Sequence, residues 1–153
     1  MKAVLQRVSR ASVTAENVVL GEIGCGLVIL LGIAQGDEEA DARILARKTA
    51  DLRIFSDAQS KFNLSLREVG GKVLVISQFT ILADARRGRR PSFEEAAGPE
   101  LAEALVDRFC QFMREERIPV ETGRFGAHME VEIHNDGPVT IVLDSKELTK
   151  PRR

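Results

Sequence analysis

Residues 2–33 read KAVLQRVSRASVTAENVVLGEIGCGLVILLGI. The stretch is rich in β-branched residues, and two short breaks, Glu16-Asn17 and Gly24-Cys25-Gly26, cut it into strand-length pieces at Lys2–Val13, Val18–Ile23 and Leu27–Ile33. Breaks this short predict an antiparallel meander. Leu27–Ile33 is apolar almost throughout, the pattern of a strand covered on both faces, and it falls far short of the roughly 20 residues that span a bilayer.

Downstream of the meander the period changes. Asp37 is the expected N-cap of a first helix over Glu38–Arg53, with acidic Glu38, Glu39 and Asp41 at its start and Ile44, Leu45 and Leu52 on its apolar face. After Gly70-Gly71, the segment Lys72–Leu82 carries a strong strand signal, Val73-Leu74-Val75-Ile76, that runs directly into Ser77-Gln78-Phe79-Thr80. Gly98-Pro99 opens a second helix, since proline at the first helical position gives up an N–H that has no intrahelical partner. Its buried face is expected at Leu101, Leu105, Phe109, Phe112 and Met113. Two final strands follow, Met129, Val131 and Ile133 alternating with Glu130, Glu132 and His134, then Val139, Ile141 and Leu143, joined at Asn135-Asp136-Gly137-Pro138. No repeat or linker divides residues 1–153, so a single α+β domain is expected, a mostly antiparallel sheet with two main helices.

Of the 153 residues, 44% are hydrophobic and 29% charged, with a formal net charge of −1. That composition is that of an ordinary globular chain with enough length to bury a core without crosslinks. Balanced charge removes any global attraction to nucleic acid, so an RNA partner would need a local basic patch. Arg86-Arg87-Gly88-Arg89-Arg90 is such a patch, with Lys150, Arg152 and Arg153 as further cations, although a charge run is also read as a solvated loop. The two cysteines, Cys25 and Cys110, have no CxxC spacing and are expected to be buried and reduced. Met1–Val8 mixes charged and apolar residues and lacks a signal-length apolar run, so the expected location is the cytoplasm, with no membrane partner.

The catalytic inventory is thin. His128 and His134 are the only histidines, and neither has a partner at metal-ligand spacing, so no metal is expected and both are read as surface residues. No GxSxG elbow, P-loop or GxGxxG stands after a strand, and no cofactor is expected. Two segments remain chemically unusual. Ser77-Gln78-Phe79-Thr80-Ile81 puts two hydroxyls and an amide at the end of a buried strand, where they serve either chemistry or the neighbouring backbone. Asn135-Asp136-Gly137-Pro138-Val139-Thr140 has the composition of a hairpin turn, and its Gly-Pro bond is of the kind that adopts the cis form at a cost of only about 0.5–1 kcal/mol.

Together SQFTI and NDGPVT resemble the two signature motifs of the D-aminoacyl-tRNA deacylases, and the resemblance covers nearly the whole chain. Lesser matches are Gln6-Arg7-Val8, Arg90-Pro91-Ser92-Phe93 and Gly126-Ala127-His128-Met129. Ile81 stands where the family usually has Leu, a conservative change. The resemblance implies a barrel-like core and a cytosolic homodimer that cuts the ester of D-aminoacyl-tRNA, and of glycine on alanine tRNA. Each pocket would lie at the subunit interface, lined by Ser77, Gln78, Phe79 and Thr80 of one copy and capped by a cis Gly137-Pro138 of the other. Two carbonyl oxygens of that cap would meet the substrate ammonium group and exclude any L side chain.

The remaining assignments follow the same resemblance. Asn135, Val139, Thr140 and Met129 would complete the substrate site, and Arg7 would hold the Gly-Pro loop through its guanidinium fork. An aminoacyl ester is reactive enough for oriented water and oxyanion stabilisation to suffice, with N–H groups near Phe79 and Thr80 as donors and the Thr80 hydroxyl positioning. Arg86, Arg87, Arg89 and Arg90 would contact tRNA phosphates, and Phe79 would line or stack on the terminal adenosine. Two other readings stay open on the residues alone: an RNA-binding module without catalysis, and a hydrolase of small acyl esters.

Overall fold

The structure is a computed structural model and describes residues 1–152. Its strands are β1 (Lys2–Ala15), β2 (Val18–Ile23), β3 (Gly26–Gly32), β4 (Phe55–Ser56), β5 (Phe62–Leu64), β6 (Lys72–Ser77), β7 (Val120–Thr122) and β8 (Glu130–Asp144). Its helices are α1 (Glu39–Asp51), α2 (Pro99–Glu115) and a short α3 (Ser145–Leu148), with a 3₁₀ turn at Phe79–Leu82. The main sheet runs β2-β1-β3-β6-β7, with β8 also paired to β1, and β4-β5 forms a small ribbon apart. The meander is antiparallel as expected, while β3-β6 and β6-β7 are parallel, so the α+β sheet is mixed.

Two apolar clusters cover the sheet from opposite faces. α1 and α2 bury Leu45, Ala46, Phe109 and Met113 against Leu5, Leu27, Ile29, Leu31 and Val75. On the other face Val8, Ala11, Val13, Val28, Leu74 and Ile76 form a second cluster beneath Met129, Val131 and Ile133, which gives the sheet its barrel-like curl. Burial of β3 on both faces explains its unbroken apolar run, each such side chain contributing about 1.5–3 kcal/mol.

The last two strands differ from expectation. Residues 130–144 do not turn back: both halves pair with β1, Thr14↔Glu130 through Arg10↔His134 and Val8↔Asn135, then Gln6↔Thr140 through Lys2↔Asp144. The Asp136-Gly137-Pro138-Val139 segment is therefore a bulge in one long strand, four residues opposite Arg7 alone. Ser9 is an extra residue on β1 at the next step, and it shifts which residues of that strand face inward.

Three smaller expectations also change. The strand over Lys72–Leu82 ends at Ser77 and becomes the 3₁₀ turn. Glu38, not Asp37, is the N-cap of α1, with the Asp41 carboxylate accepting from its N–H at 2.8 Å. Asp37 is buried elsewhere: Oδ2 accepts from Ala34 N at 2.7 Å and Oδ1 accepts from the amino-terminal nitrogen of Met1 at 2.8 Å. Cys110 is buried but Cys25 is exposed, at the turn between β2 and β3. Among the described residues, no helix is long and apolar enough to cross a membrane.

Candidate active site

The C-terminal end of β6 delivers Ser77, and the last ladder bond runs from Gln78 N to Leu31 O at 2.8 Å. The chain then tightens into the 3₁₀ turn, closed by Ala83 N donating to Thr80 O at 3.2 Å. This turn sits flush on β3 because Gly32 has no side chain: a Cβ there would lie 2.7 Å from Ile81 Cγ1 and 3.2 Å from Gln78 O. Gly32 is a site-shaping residue that sequence reading missed. A turn of this kind leaves its first N–H groups without internal partners. Accordingly, the N–H groups of Phe79 and Thr80 have no hydrogen-bond acceptor among the described residues. The Gln78 side-chain amide donates to the Thr80 hydroxyl, which fixes the one relative to the other.

Beside this turn lies a cavity of about 630 Å³. Ile33, Ile76, Ala102, Met129 and Val131 give it an apolar floor, and Ser77, Gln78 and Phe79 form one wall. Phe79 is 54% exposed and meets Phe93 edge to face, with ring centroids 5.1 Å apart. Phe93, Phe125 and His128 also line the cavity. None was expected there, although Phe93 and His128 stand in the lesser matching runs. His128 is exposed at the lip, and no hydrogen bond joins it to Thr80 among the described residues. Among the same residues no group of three His, Cys, Asp or Glu could hold a metal ion.

The second predicted segment is built around Arg7. Arg7 as a whole residue is only 8% exposed. Nε donates to Asp136 O at 3.0 Å and Nη1 to Ile54 O at 2.9 Å, while the guanidinium carbon lies 5.4 Å from the Phe62 ring centroid. Asn135 clasps the other side of the bulge, its Oδ1 accepting from Val139 N at 2.8 Å and its amide donating to Thr140 Oγ1 at 3.3 Å. Between these anchors Asp136, Gly137 and Pro138 are exposed, and the Gly137-Pro138 bond is cis. Gly137 has φ +140, and a Cβ on it would stand 2.7 Å from Val139 Cγ2.

The two segments do not meet within one chain. Ser77 shares a row with Leu31, Ala3 and Leu143, whereas Gly137 and Pro138 lie opposite Arg7, with β1 and β3 between them and β6. Neither Gly137 nor Pro138 lines the cavity, while Met129, just before the same long strand, and Val131 within it do.

The arginine run forms a loop closed by two hydrogen bonds of 2.8 Å between the main chains of Asp84 and Ser92. Arg86, Arg87, Arg89 and Arg90 are all exposed. Arg86 pairs with Asp84, Nη2 to Oδ2 at 2.7 Å, and donation from that guanidinium lowers the Asp84 carboxyl to about 2. Of the further cations, Lys150 pairs with Glu147, Arg152 is exposed, and Arg153 lies outside the described residues.

Comparison with known proteins agrees with this architecture. A family model described as D-Tyr-tRNA(Tyr) deacylase matches residues 4–144. A D-aminoacyl-tRNA deacylase of Roseiflexus sp. (strain RS-1) is 60% identical over 152 residues, covering 99% of this chain and 98% of the relative. One of Chloroflexus aurantiacus is 59% identical over 153 residues, covering all of this chain and 96% of its own. Among solved structures, one titled c-Myc DNA Unwinding Element Binding Protein superposes with a TM-score of 0.87 at 39% identity over 94% of this chain and 98% of that one. Another, titled as a probable eukaryotic D-amino acid tRNA deacylase, shares the fold at a TM-score of 0.77 and 20% identity over 93% and 97%. The fold and the motif-bearing turn thus define a tRNA-editing deacylase as a class. Within that class the chain belongs to the D-Tyr-tRNA(Tyr) deacylase family.

Proposed function

We propose that residues 1–153 act as one deacylase domain in a cytoplasmic homodimer. The dimer hydrolyses the ester of D-aminoacyl-tRNA, and of glycyl-tRNA(Ala), and rejects L-aminoacyl-tRNA through main-chain atoms of the partner copy. The observation that carries this reading is the Gly137-Pro138 bulge. It is exposed at its tip, anchored at its base by Arg7 and Asn135, and remote from the turn at Ser77–Thr80 of its own chain. A rigid main-chain projection with nothing to cover in its own subunit suits insertion over the pocket of a twin, and a two-fold axis would create two such sites at once.

In this reading the terminal adenosine enters the apolar cavity beside Phe79, and the ester carbonyl faces the free N–H groups of Phe79 and Thr80. These donors stabilise the oxyanion as water attacks the ester carbon. Expulsion of the ribose oxygen, which takes up a proton, then frees the amino acid. The Thr80 hydroxyl, oriented by Gln78, and the ribose 2′-hydroxyl position the water. Carbonyl oxygens of the partner's Gly137-Pro138 segment meet the α-ammonium and leave room for hydrogen but not for an L side chain. Selection of this kind acts through exclusion, so it is indifferent to which D residue is present and admits glycine. Arg87, Arg89 and Arg90 add contacts to phosphates without reading sequence.

The decisive experiment compares D-Tyr-tRNA, L-Tyr-tRNA and a free D-Tyr ester. Turnover of the D-charged tRNA alone is expected. Equal turnover of both enantiomers would overturn chiral exclusion, and turnover of the free ester alone would make the chain a small-ester hydrolase.

A further inference from the structure

A second basic feature lies on the helix layer, away from the arginine loop. Arg43, Ile44, Arg47, Lys48 and Asp51 of α1 and Leu148 of α3 line a groove of about 270 Å³. Positions 43, 44, 47, 48 and 51 recur at helical spacing and so share one face. Three of them are cations, and none of the three pairs with a carboxylate among the described residues. Asp51, the acid on the groove, is taken by Arg67, and Glu39 at the head of the helix is taken by Arg108. The Arg43 guanidinium is held instead by the buried Phe112 ring, 4.3 Å from its centroid, an arrangement that orients the group and leaves its N–H fork available.

The segment leading into α1 is tied to the rim of the active-site cavity. Segment 93–97, which supplies Phe93, Ala96 and Ala97 to the cavity, is joined at one end to the arginine loop through the Asp84–Ser92 bridge. At its other end it is joined to the approach of α1, with Gln35 N donating to Glu95 O at 2.9 Å and Ala34 bridged to Ala96. From Glu39, Arg43 and Arg47 lie about 6 and 12 Å along the helix axis, the rise of successive turns. Cations placed one turn apart in this way can each face a separate phosphate of a nucleic-acid backbone.

We infer that this groove is a second contact for the phosphate backbone of the tRNA substrate, engaging the stem beyond the single-stranded end that enters the cavity. The inference rests on the reading of the chain as an aminoacyl-tRNA deacylase and adds a contact to it. Arg43, Arg47 and Lys48 are the binding groups, and Ile44 and Leu148 close the base of the groove. Sequence plays no part in such a contact, as befits an editor that accepts tRNAs of many kinds.

The test pairs Arg47→Gln and Lys48→Gln in one variant and uses Lys61→Gln, an exposed cation in the β4-β5 turn that does not line the groove, as control. Arg43 is left in place because its stacking on Phe112 also supports the helix pair. Binding of uncharged tRNA is measured across a salt series, and deacylation is followed on D-Tyr-tRNA and on D-Tyr-adenosine, which is too short to reach α1. The double variant is expected to bind tRNA about tenfold more weakly, with a log-log salt slope shallower by about 1.8 for two phosphate contacts. Its kcat/KM should fall in proportion on D-Tyr-tRNA and change less than about twofold on D-Tyr-adenosine. Unchanged tRNA affinity and slope, or equal weakening by Lys61→Gln, would overturn the groove. Weakened tRNA binding in a chain whose parent spares D-Tyr-tRNA would keep the groove and overturn the deacylase reading.

Discussion

Arg7 Nε donates to the main-chain oxygen of Asp136 at 3.0 Å, a contact between the strand at the centre of the sheet and the bulge opposite it. This guanidinium also donates to Ile54 O, so one buried side chain ties the bulge to the segment that leads into β4. Arg7→Ala leaves both carbonyls without their donor and should lower stability by about 1.5–3 kcal/mol, the range for a hydrogen bond to a charged group. Arg7→Lys keeps the charge but loses the fork, and should restore less than half of that loss in a denaturant titration. Both variants should lose at least tenfold in kcat/KM on D-aminoacyl-tRNA, because the bulge is no longer held at one height.

Gly137→Ala tests the bulge directly. At φ +140 with Val139 Cγ2 only 2.7 Å from the new methyl, the backbone must shift. The tip is solvent-exposed, so the stability cost should stay within about 1–3 kcal/mol, the scale of a side chain held in a sparsely populated backbone region. Activity should suffer far more than the melting temperature. A variant that deacylates D-Tyr-tRNA as well as the parent would remove Gly137 from the site.

The hydroxyl of Thr80 is bonded to Gln78, and no histidine or lysine reaches it among the described residues. If the oxyanion is stabilised by main-chain N–H groups, Thr80→Ala should keep measurable deacylation, reduced about tenfold in kcat. His128→Ala should lose less than tenfold, against the 10²–10⁴ expected on removing a general base. Complete loss in Thr80→Ala with an intact fold, or a trapped acyl-threonine, would make Thr80 a nucleophile.

Asp84 provides a prediction in pH. Because the Arg86 guanidinium holds its carboxyl at about 2, below the ordinary 3.8, the pair contributes fully above about pH 4 and is lost as pH falls toward 2. A carboxyl NMR titration should place the Asp84 midpoint near 2 in the parent and higher in Arg86→Gln, though still below the ordinary value because the main-chain N–H of residue 86 continues to donate to it. Conversely, Asp84→Asn releases Arg86, and tRNA binding should tighten with a salt slope steeper by about 0.9, one further phosphate contact.

How much of this was legible in the chain differs from element to element. The meander and both main helices follow from local pattern, since alternation, apolar runs and Gly-Pro punctuation act over a few residues. The continuous β8 was not legible, because Asn-Asp-Gly-Pro has turn composition and only a guanidinium more than a hundred residues away keeps the strand on course. Asp37 was misread for a related reason: its partners, Ala34 N and the nitrogen of Met1, include one that only the fold brings near. At the site, Ser77–Thr80 stood out as polar chemistry at the end of a buried strand. Phe93, Phe125 and Gly32 did not, since an aromatic wall from three loops and the absence of one methyl carry no local signature.

The long β8 has a consequence for inheritance of damage between copies. Its first residues border the cavity of their own chain, while its central bulge is proposed to sit over the cavity next door. One strand then serves two reaction centres, so a lesion at Met129 and a lesion at Gly137 in the same polypeptide injure different ones. Co-expressing a chain broken at the floor with a chain broken at the bulge would concentrate both faults in one centre of each hybrid and leave the other whole, so two inactive parents should yield hybrids with about half the activity of the unaltered dimer, roughly a quarter overall if the chains pair at random.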